Sequence, residues 1–575
     1  MRTRRPASVA GLLLGVAVLA GCTGVPTSSS PQTVEQLNIG VQPTEQEIRP
    51  AKDASPRDIV TGFLRANTID PGKHTSAGSF LTTAARSRWS DATVTILSDD
   101  PAVGTYDGKG AVTVSGRVVG TLDKDGAFQP GSNVSQSFRF GITRDHGQFR
   151  ISQAPAGLLI TNSDFADNYH QYSLYFYDNE NRYLVQDPRW TDIVDRTQRA
   201  QWLLGRLADG PRAQLQKALT SDTLPTQADP SRLTVRVNAT TTIEIPGSSQ
   251  LDSSGKNHLA AQVSQTLNEA TSGGDMTITD GGRPVAIPAV SGRVFTPEEF
   301  TSALGPQPPA AQVDYVSGGA LVNSDGKPVA GPLGHDTYGL GSVALSRPDP
   351  TGPMLVAGVQ ASTGQLWVGS QGSGLKSTGL SDITTRPTFA SGRPEVWVGS
   401  GDRIYRVTLT ATGTFVRAVA VAVTQQPAGR LLALRLSPDG ARVAIVLGGP
   451  KRADGGDLYV GAVVRDAGPV SVDTLQRLSP KSVKVVDVAW LNQIRLLSVG
   501  QQTSPGDSVT VDTWVDGDVV AVRDIGLPRP PDSVTVAVGA NAWLSAAGFV
   551  WVQSGGQWTS PTGGQTPGTA PIYVE

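Results

Sequence analysis

The segment that decides the fold runs from Leu434 to Val446 and reads Leu-Arg-Leu-Ser-Pro-Asp-Gly-Ala-Arg-Val-Ala-Ile-Val. Aliphatic residues flank a Pro-Asp-Gly centre, and this combination is typical of two β-strands joined by a tight turn. Both flanking stretches are mainly apolar, which is expected of strands that are buried in a sheet. The segment therefore predicts a β-sheet unit rather than a helix.

The same unit recurs through the C-terminal half of the chain. Apolar strands that end in a turn are also predicted at Val343–Ser346, Thr388–Ser391 and Val486–Trp490. Aromatic residues in apolar strand patterns recur with an average separation of 46 residues, at Trp367, Tyr405, Tyr459, Trp514 and Trp551. Units of about 45 residues with about four strands each are the signature of β-propeller blades.

We therefore interpret residues 307–575 as a β-propeller of about six blades. The alternative, a row of immunoglobulin-like domains, predicts units of about 100 residues and fits the spacing less well. The turn at Ser437–Gly440, followed by the strand Arg442–Val446, resembles the blades of TolB-type propellers. That resemblance implies a positive φ at Gly440.

Composition and charge limit the fold classes and the partners that the chain can have. Its 575 residues are several times the common domain size of about 100–150 residues, so we expect several domains. The 65 Gly and 40 Pro residues favour short strands and turns over an all-helical fold. The formal net charge is −2, and it becomes −5, from 45 basic and 50 acidic residues, if the first 21 residues are removed. Because nucleic-acid binding needs clustered Lys and Arg, we expect no nucleic-acid partner.

The N-terminus carries a predicted lipoprotein signal peptide. Three arginines precede an uncharged apolar run from Val9 to Leu19, which fits a secretory signal and is too short to span a bilayer. The residues that follow resemble the bacterial lipobox: Leu19, Ala20, Gly21 and Cys22. This resemblance implies that residues 1–21 are cleaved and that Cys22 receives a diacylglyceryl lipid carrying fatty acyl chains such as palmitate.

Cys22 is the only cysteine of the chain, which excludes intramolecular disulfides, iron–sulfur clusters and thiolate zinc sites. Residues 22–54 are interpreted as the lipidated cysteine and a flexible tether, because they are rich in Ser, Thr, Pro and Gln and show no apolar period. A coil of this length would hold the first domain about 30 Å from the bilayer. Two acyl chains anchor a protein stably. We therefore expect a lipid-anchored protein at the outer, extracytoplasmic face of the cell membrane.

Residues 55–165 are predicted to form an α+β domain. Ser55 is expected to cap a helix that begins at Pro56 and carries an apolar stripe of Ile59, Val60, Phe63 and Leu64. A second short helix is predicted from about Ser79 to Trp89. From Val112 onwards the chain changes to the alternating pattern of strands, so the helices precede the sheet.

Residues 166–300 are predicted to form a second α+β domain. A strand at 172–177, an acidic turn at 178–181 and a strand at 182–185 form a hairpin signature, and a helix from about Asp195 to Leu207 follows. The stretch from Trp202 to Pro211, together with residues 262–267, resembles the GerMN domain of sporulation and germination proteins. That resemblance implies a role in the assembly of envelope complexes and no catalytic residues.

Few motifs indicate chemistry. The chain has only five histidines and no H-E-x-x-H, G-x-S-x-G or P-loop pattern. Two acidic stretches, Asp123–Gly126 and Asp178–Asn181, resemble calcium loops but lack the distal Glu, so hairpin turns are expected. The Gly-rich run Gly369–Gly374 is interpreted as a plain turn between propeller strands. We therefore expect no metal site, no cofactor and no catalytic residues.

The order of lipobox, tether, helix-led α+β domain, GerMN-like domain and propeller resembles the actinobacterial lipoprotein family LpqB over nearly the whole chain. The resemblance implies a non-enzymatic protein that binds and modulates the extracytoplasmic domain of an MtrB-like sensor histidine kinase, in cell-envelope homeostasis and division. The alternative is a cell-wall glycan-binding protein or a propeller hydrolase. Seven of the ten tryptophans lie in the propeller, where packing between blades competes with a glycan-stacking groove.

Overall fold

The computed structural model describes residues 48–575, apart from residues 70, 221–223, 226–229, 306–311, 450–453, 505, 525 and 527–530. The predicted signal peptide, Cys22 and most of the predicted tether lie outside the described residues. The described part comprises an N-terminal domain (residues 48–169), a middle domain (residues 170–305) and a propeller (residues 312–575). We use these three names below.

The N-terminal domain pairs short helices with one sheet. Its helices are α1 (Pro56–Ala66), α2 (Thr75–Gly78), α3 (Thr83–Arg86) and α4 (Asn162–Asn168). Its strands are β1 (Val94–Leu97), β2 (Ala102–Val103), β3 (Ala111–Leu122), β4 (Phe128–Pro130), β5 (Ser135–Asp145), β6 (Gln148–Gln153) and β7 (Leu158–Thr161). The strand order is β6-β5-β3-β1-β7, with β2 and β4 also paired to β3.

The first helix forms as the sequence predicts. The Ser55 hydroxyl accepts a hydrogen bond from the backbone N–H of Asp58, and the Asp58 carboxylate accepts one from the backbone N–H of Ser55, so both hydrogen bonds of a capping box are present. Pro56 occupies the first helical position. The buried stripe of α1 packs on the inner face of the sheet, where Val112, Phe140 and Ile151 belong to the same core.

The second predicted helix is wrong in its extent. The structure begins α3 only at Thr83, because Thr82 donates its backbone N–H to Ile151 O at 2.9 Å and caps the helix through its side chain. Leu81 forms a parallel bridge with Ile151. The backbone before Thr83 therefore pairs with the edge of the sheet and does not form a helix.

The middle domain contains two long helices and two sheets. The helices are α5 (Arg196–Ala208) and α6 (Ser253–Thr271), and 3₁₀ turns lie at Pro230–Arg232, Ser248–Gln250 and Pro297–Leu304. The strands are β8 (His170–Tyr177), β9 (Leu184–Thr191), β10 (Thr234–Arg236), β11 (Thr241–Glu244), β12 (Met276–Asp280) and β13 (Arg283–Pro284). Strands β8 and β9 form the predicted hairpin, and β10-β11-β12-β13 form the second sheet.

Helix α6 is the centre of this domain. Leu259, Val263 and Leu267 are at most 1% exposed and share one core with the buried face of α5. The Thr266 hydroxyl also accepts the backbone N–H of Tyr175 at 3.1 Å, which ties α6 to β8. Burial on nearly every side explains why α6 carries apolar and small residues around most of its circumference.

The propeller has six blades, as the sequence predicts. Blade 1 is β16 (Leu340–Ser346), β17 (Leu355–Gln360), β18 (Leu366–Ser370) and β19 (Gly374–Ser377). Blade 2 is β20 (Thr388–Phe389), β21 (Glu395–Ser400), β22 (Arg403–Leu409) and β23 (Phe415–Val423), and blade 3 is β24 (Arg430–Leu436), β25 (Arg442–Gly448), β26 (Gly456–Val464) and β27 (Ser471–Arg477). Blade 4 is β28 (Val483–Trp490), β29 (Arg495–Gln502), β30 (Ser508–Trp514) and β31 (Val519–Asp524), and blade 5 is β32 (Ser533–Thr535), β33 (Trp543–Ala546), β34 (Phe549–Ser554) and β35 (Gln557–Thr559).

Blade 6 joins the two ends of the propeller. Its inner strand is β36 (Thr569–Tyr573), which pairs antiparallel with β14 (Val313–Ser317), and β14 pairs with β15 (Ala320–Asn323). A 3₁₀ turn at Pro332–Gly334 then leads to blade 1. Pairing of the last strand with the first closes the ring without a free edge at the closure.

The aromatic repeat marks one structural position. Each of the five aromatic residues lies on the third strand of its blade and is half-buried: Trp367 on β18, Tyr405 on β22, Tyr459 on β26, Trp514 on β30 and Trp551 on β34. Blade 6 has no aromatic residue on its third strand, Ala320–Asn323. This explains why five aromatic positions correspond to six blades.

Candidate functional site: the propeller funnel and the domain junctions

The lipobox residues Leu19, Ala20 and Gly21 and the predicted lipid site Cys22 lie outside the described residues. Lipidation therefore stays a prediction from the sequence. No helix within residues 48–575, as far as they are described, is long and apolar enough to cross a membrane. Among the same residues no group of three or more His, Cys, Asp or Glu side chains is placed to hold a metal ion.

Both acidic stretches singled out in the sequence are hairpin turns that connect domains. Asp125, in the turn between β3 and β4, forms an ion pair with Arg206 on α5 of the middle domain. Glu180, in the turn between β8 and β9, forms an ion pair with Arg393 of the propeller. Their carboxylates are therefore committed to contacts between domains, which the sequence pattern alone does not reveal.

Trp190 on β9 is the point where all three domains meet. Its ring lies 4.9 Å from the ring of Phe165 in the N-terminal domain and 6.3 Å from that of Trp514 in the propeller, measured between centroids. Its indole Nε1 donates a hydrogen bond of 2.9 Å to Asp516 of the propeller. One side chain thus joins an aromatic cluster to a buried carboxylate across two interfaces.

The N-terminal domain reaches this junction through a glycine. The backbone N–H of Trp190 donates to Gly126 O at 2.8 Å. Gly126 has a φ of +73°, and a Cβ at this position would lie 2.5 Å from Trp190 O and 2.8 Å from the ring of Trp202. A residue other than glycine would therefore be both strained and sterically blocked here.

The propeller supplies a buried carboxylate to the same junction. Asp516 has no exposed surface, and its burial raises the pKa of its carboxyl group. The neighbouring Asp518 is half-buried, and burial together with the charge of Asp516 raises its pKa to about 7. The indole hydrogen bond from Trp190 therefore satisfies an acid that water does not reach.

A second buried cluster joins the middle domain to blade 3. Asp187 has no exposed surface, and its Oδ1 lies 2.6 Å from both Arg189 Nη1 and Arg212 Nε. Burial by itself raises the pKa of Asp187, but the charges of the two arginines and their hydrogen bonds outweigh burial and hold the pKa well below its usual range. Next to this cluster, Arg442 of the propeller donates to Gln186 O.

The N-terminal and middle domains are also joined by a histidine. His74 Nε2 lies 3.2 Å from Asp192 Oδ2, and the two side chains are 7% and 10% exposed. The same carboxylate oxygen accepts the backbone N–H of Gly72 at 2.8 Å. Burial alone lowers the pKa of His74, but the hydrogen bond to Asp192 and the charges of Asp192 and Asp91 outweigh it and raise the pKa above 6.5.

We expect this contact to make stability depend on pH. A histidine whose pKa is raised on folding stabilises the folded state fully below its unfolded pKa of about 6.5, and this contribution is lost as pH rises through the folded pKa. A hydrogen bond to a charged group contributes about 1.5–3 kcal/mol. The unfolding free energy of wild type should therefore fall over this range more steeply than that of His74→Gln. Equal slopes in urea titrations at several pH values would contradict the assignment, and His146→Gln, whose imidazole is exposed, is the control.

The propeller channel is held by a network of buried charges. Arg386 Nη1 lies 2.9 Å from Asp487 Oδ2 and 3.2 Å from Val534 O, and its Nη2 donates to Pro571 O at 2.6 Å. The backbone N–H of Val534 donates to Asp487 at 3.1 Å. Arg435 Nη2 lies 3.9 Å from the same carboxylate. These residues come from blades 2 to 6, so the network ties the inner strands across the axis.

At one end of this channel the inner strands surround a cavity that we call the funnel. Its volume is about 150 Å³. The residues that line it lie on or just after the inner strands of all six blades, and they include Arg347, Phe389, Arg435, Trp490, Val538 and Tyr573. Glu575 also lines the funnel, where the Thr388 hydroxyl and the Phe389 N–H donate to its carboxylate.

The tryptophans of the propeller favour packing over glycan stacking. Trp397, Trp490 and Trp543 are buried, and the remaining four are half-buried between strands and blades. A stacking platform for a sugar needs an exposed ring face. The arrangement therefore favours the structural role that the sequence analysis weighed against a glycan groove.

Comparisons with family models cover most of the chain. Residues 49–166 match a model described as the N-terminal domain of lipoprotein LpqB. Residues 173–286 match a model described as sporulation and spore germination. Residues 319–574 match a model described as the lipoprotein LpqB beta-propeller domain.

Individual relatives show the same pattern. The chain is 28% identical over 453 residues to lipoprotein LpqB of Mycolicibacterium smegmatis. The aligned region covers 76% of this chain and 77% of the relative. It is 26% identical over 601 residues to lipoprotein LpqB of Mycobacterium bovis, and this aligned region covers 98% of each chain. Among solved structures, the chain is similar to TolB from Acinetobacter baumannii with a TM-score of 0.31 and 13% identity, over 48% of this chain and 70% of that chain.

Proposed function

Since this chain belongs to the lipoprotein LpqB family, we propose that it is anchored by lipid at the outer face of the membrane and binds a sensor histidine kinase there. In this proposal the folded part contacts the extracytoplasmic domain of an MtrB-like kinase and modulates its phosphorylation. The response regulator of that kinase then controls envelope homeostasis and division. The protein itself carries out no chemistry.

The proposal rests on one observation: the buried charged and aromatic groups make contacts between blades and between domains. Arg386 and Asp487 hold blades together, whereas Asp187 and Trp190 hold domains together. Groups of this kind are the usual candidates for catalysis when they line a cleft. Here they make structural contacts, which supports a binding protein that presents one continuous surface built from three domains.

The N-terminal sequence supports a role at the membrane. A lipid on Cys22 would confine the protein to two dimensions, and a tether of about 30 Å would keep its domains within reach of a neighbouring extracytoplasmic domain. Confinement of two partners raises their effective concentration and can increase apparent affinity by about 10²–10⁴. A modest intrinsic affinity is therefore sufficient for regulation in this proposal.

The test compares binding in solution with regulation at the membrane. In the full-length chain, purified without its lipid, Cys22→Ala should leave the affinity for the purified extracytoplasmic domain of the cognate kinase unchanged. In cells it should release the protein from the membrane fraction and weaken its effect on response-regulator phosphorylation by about a hundredfold, because effective concentration is lost. Thr23→Ala, next to the lipid site, is the matched control and should behave like wild type.

Three outcomes contradict the proposal. Absence of measurable binding between the folded part and the kinase domain would exclude direct modulation. Membrane retention of Cys22→Ala, with no lipid mass on the wild-type protein, would exclude the anchor. Loss of activity on replacement of a single channel carboxylate, with kinase binding intact, would indicate an enzyme.

A further inference from the structure

Blade 2 has an exposed, apolar outer strand, β23. It extends over nine residues, Phe415–Val423, and is the longest outer strand among the described parts of the six blades. Val416 and Val419 are 53% and 40% exposed, and Ala420 and Ala422 are also exposed. Strand β23 therefore presents apolar side chains to solvent along most of its length.

One long side of β23 has no strand beside it for most of its length. Strand β22 pairs with one side of β23 from Phe415 to Val421. On the other side, β27 pairs only with Ala422 and Val423. No other described strand pairs with β23. The second side of residues 415–421 is therefore free, and we call it the open edge.

The open edge offers unpaired backbone groups. The N–H of Thr424 donates to Val472 O of β27 at 2.9 Å, so this N–H points to the side of β27. Backbone groups of successive residues point to opposite sides of a strand. The N–H and C=O groups of Ala418 and Ala420 therefore point to the open edge, where an added strand would pair with them.

The other four-stranded blades limit their outer strands by length or by charge, and blade 2 does not. Outer strands β19 and β35 have only four and three residues, and β27 and β31 each carry two charged residues. Short edges and charged side chains prevent unwanted strand pairing in soluble proteins. Strand β23 is long, contains no proline and carries a single charged residue, Arg417. Its open edge is therefore suited to pairing with another strand.

The charge of Arg417 indicates what kind of strand fits. Its side chain is exposed, and its neighbour on β22 is the uncharged Thr408. Neither β22 nor β23 contains an acidic residue. Opposite charges on neighbouring strands stabilise a sheet, whereas like charges destabilise it. A second copy of β23 has no acid to offer, so the complementary partner is a segment of another protein that carries one.

We propose that the open edge of β23 binds an extended segment of another protein as an additional strand, with an acidic residue of that segment opposite Arg417. In this mode of recognition main-chain hydrogen bonds supply affinity and alternate side chains supply specificity. Val419 lies on the same face of β23 as Arg417 and would contact an apolar residue two positions from the acid. The inference goes beyond the proposed function, because it requires no sensor kinase.

The first test uses blocked peptides on the full-length chain, purified without its lipid. One peptide, Thr-Val-Thr-Glu-Thr-Val-Thr, reads the same in both directions, so its composition favours neither direction of strand addition. The control peptide has lysine in place of glutamate. The glutamate peptide should bind about two- to fivefold more tightly, because it places opposite instead of like charge beside Arg417. Equal affinities, or a preference for the lysine peptide, would overturn the proposal.

Charge reversal on the protein locates the bound peptide. Arg417→Glu should reverse the preference, so that the lysine peptide binds more tightly than the glutamate peptide. A variant that fails to fold cannot gain affinity for one peptide, so the reversal is not explained by loss of structure. Arg523→Glu is the matched control, because Arg523 is also exposed but lies on the outer strand of blade 4. A reversal in the control, with none in Arg417→Glu, would place the site on β31 and contradict the proposal.

Hydrogen exchange reports on the backbone pairing. At a saturating concentration, the glutamate peptide should slow amide exchange in residues 415–421 at least tenfold, through the N–H groups of Ala418 and Ala420. Exchange in β31 should stay unchanged. Binding of the peptide without this protection would show that it does not add a strand, and the proposal would be wrong.

Sedimentation velocity tests the alternative occupant, a second copy of the chain. A dimer that Val419→Lys abolishes, with the open edge protected from exchange in the absence of peptide, would replace the foreign segment by a second copy. A monomeric wild-type chain supports the proposal. If the peptides behave as expected but the purified kinase domain does not bind, the proposed function fails and the open edge stands; kinase binding without peptide binding removes the open edge alone.

Discussion

Replacement of Trp190 by alanine is expected to lower the unfolding free energy by about 3–5 kcal/mol, the range for removal of a large buried aromatic side chain. The indole is 8% exposed and packs between Phe165 and Trp514, so its loss opens a cavity at the meeting point of three domains. The variant also leaves Asp516 without the donor that satisfies it. Chemical unfolding followed by tryptophan fluorescence measures the effect.

Trp190→Phe separates the two contributions. It keeps a buried aromatic ring but removes the hydrogen bond to Asp516 and part of the indole volume, so we expect a smaller loss than for alanine, of about 1–3 kcal/mol. The alanine variant should in addition become sensitive to protease between the domains, because the aromatic contact between them is gone. Unfolding free energies within about 1 kcal/mol of wild type for both variants would show that the junction is not stabilised by this residue.

Replacement of Asp487 by alanine is expected to have a comparable effect on the propeller. Arg386 and Arg435 are each 5% exposed, and without the carboxylate Arg386 loses its ion pair and Arg435 loses a negative charge 3.9 Å away, both in a buried site. Removal of one partner from a buried ion pair costs about 3–5 kcal/mol. The Val534 N–H also loses its acceptor, so the inner strand of blade 5 loses a contact to blade 4.

Two further variants test whether the buried charge causes the loss of stability. Asp487→Asn preserves size but not charge, and it should lose nearly as much stability as alanine if the two arginine charges are the cause. Asp325→Ala removes a carboxylate that is 69% exposed and lies 3.9 Å from Lys327, and we expect a change within about 0.5 kcal/mol. A loss of less than about 1 kcal/mol for Asp487→Ala would contradict the role of the network.

The local elements followed from the sequence because their causes are local. The cap at Ser55, the β8–β9 hairpin and helix α5 each depend on residues a few positions apart. The six-bladed architecture followed from the spacing of aromatic residues, since each blade must bury one face against its neighbours. The resemblance to the LpqB family, made on domain order, is confirmed by the family models.

The helix expected from Ser79 to Trp89 shows where local pattern fails. Its residues have ordinary helical character, but Leu81 and Thr82 instead pair with Ile151, some 70 residues later in the chain. A hydrogen bond to a distant strand satisfies the same backbone groups as a helix would, and burial decides between them. No residue within the segment indicates that it will pair with that strand.

By itself the sequence determined the fold class, the blade repeat and the Ser55 helix cap, because each depends on composition or on short-range spacing; the lipid site at Cys22 stays a prediction. Only the tertiary structure decided that two acidic turns join domains, that Trp190 contacts Asp516 326 positions later in the chain, and that residues from six blades enclose the funnel. The physical reason is that burial and electrostatic pairing depend on neighbours in space. Closure of the ring sets those neighbours, and no pattern along the chain records them.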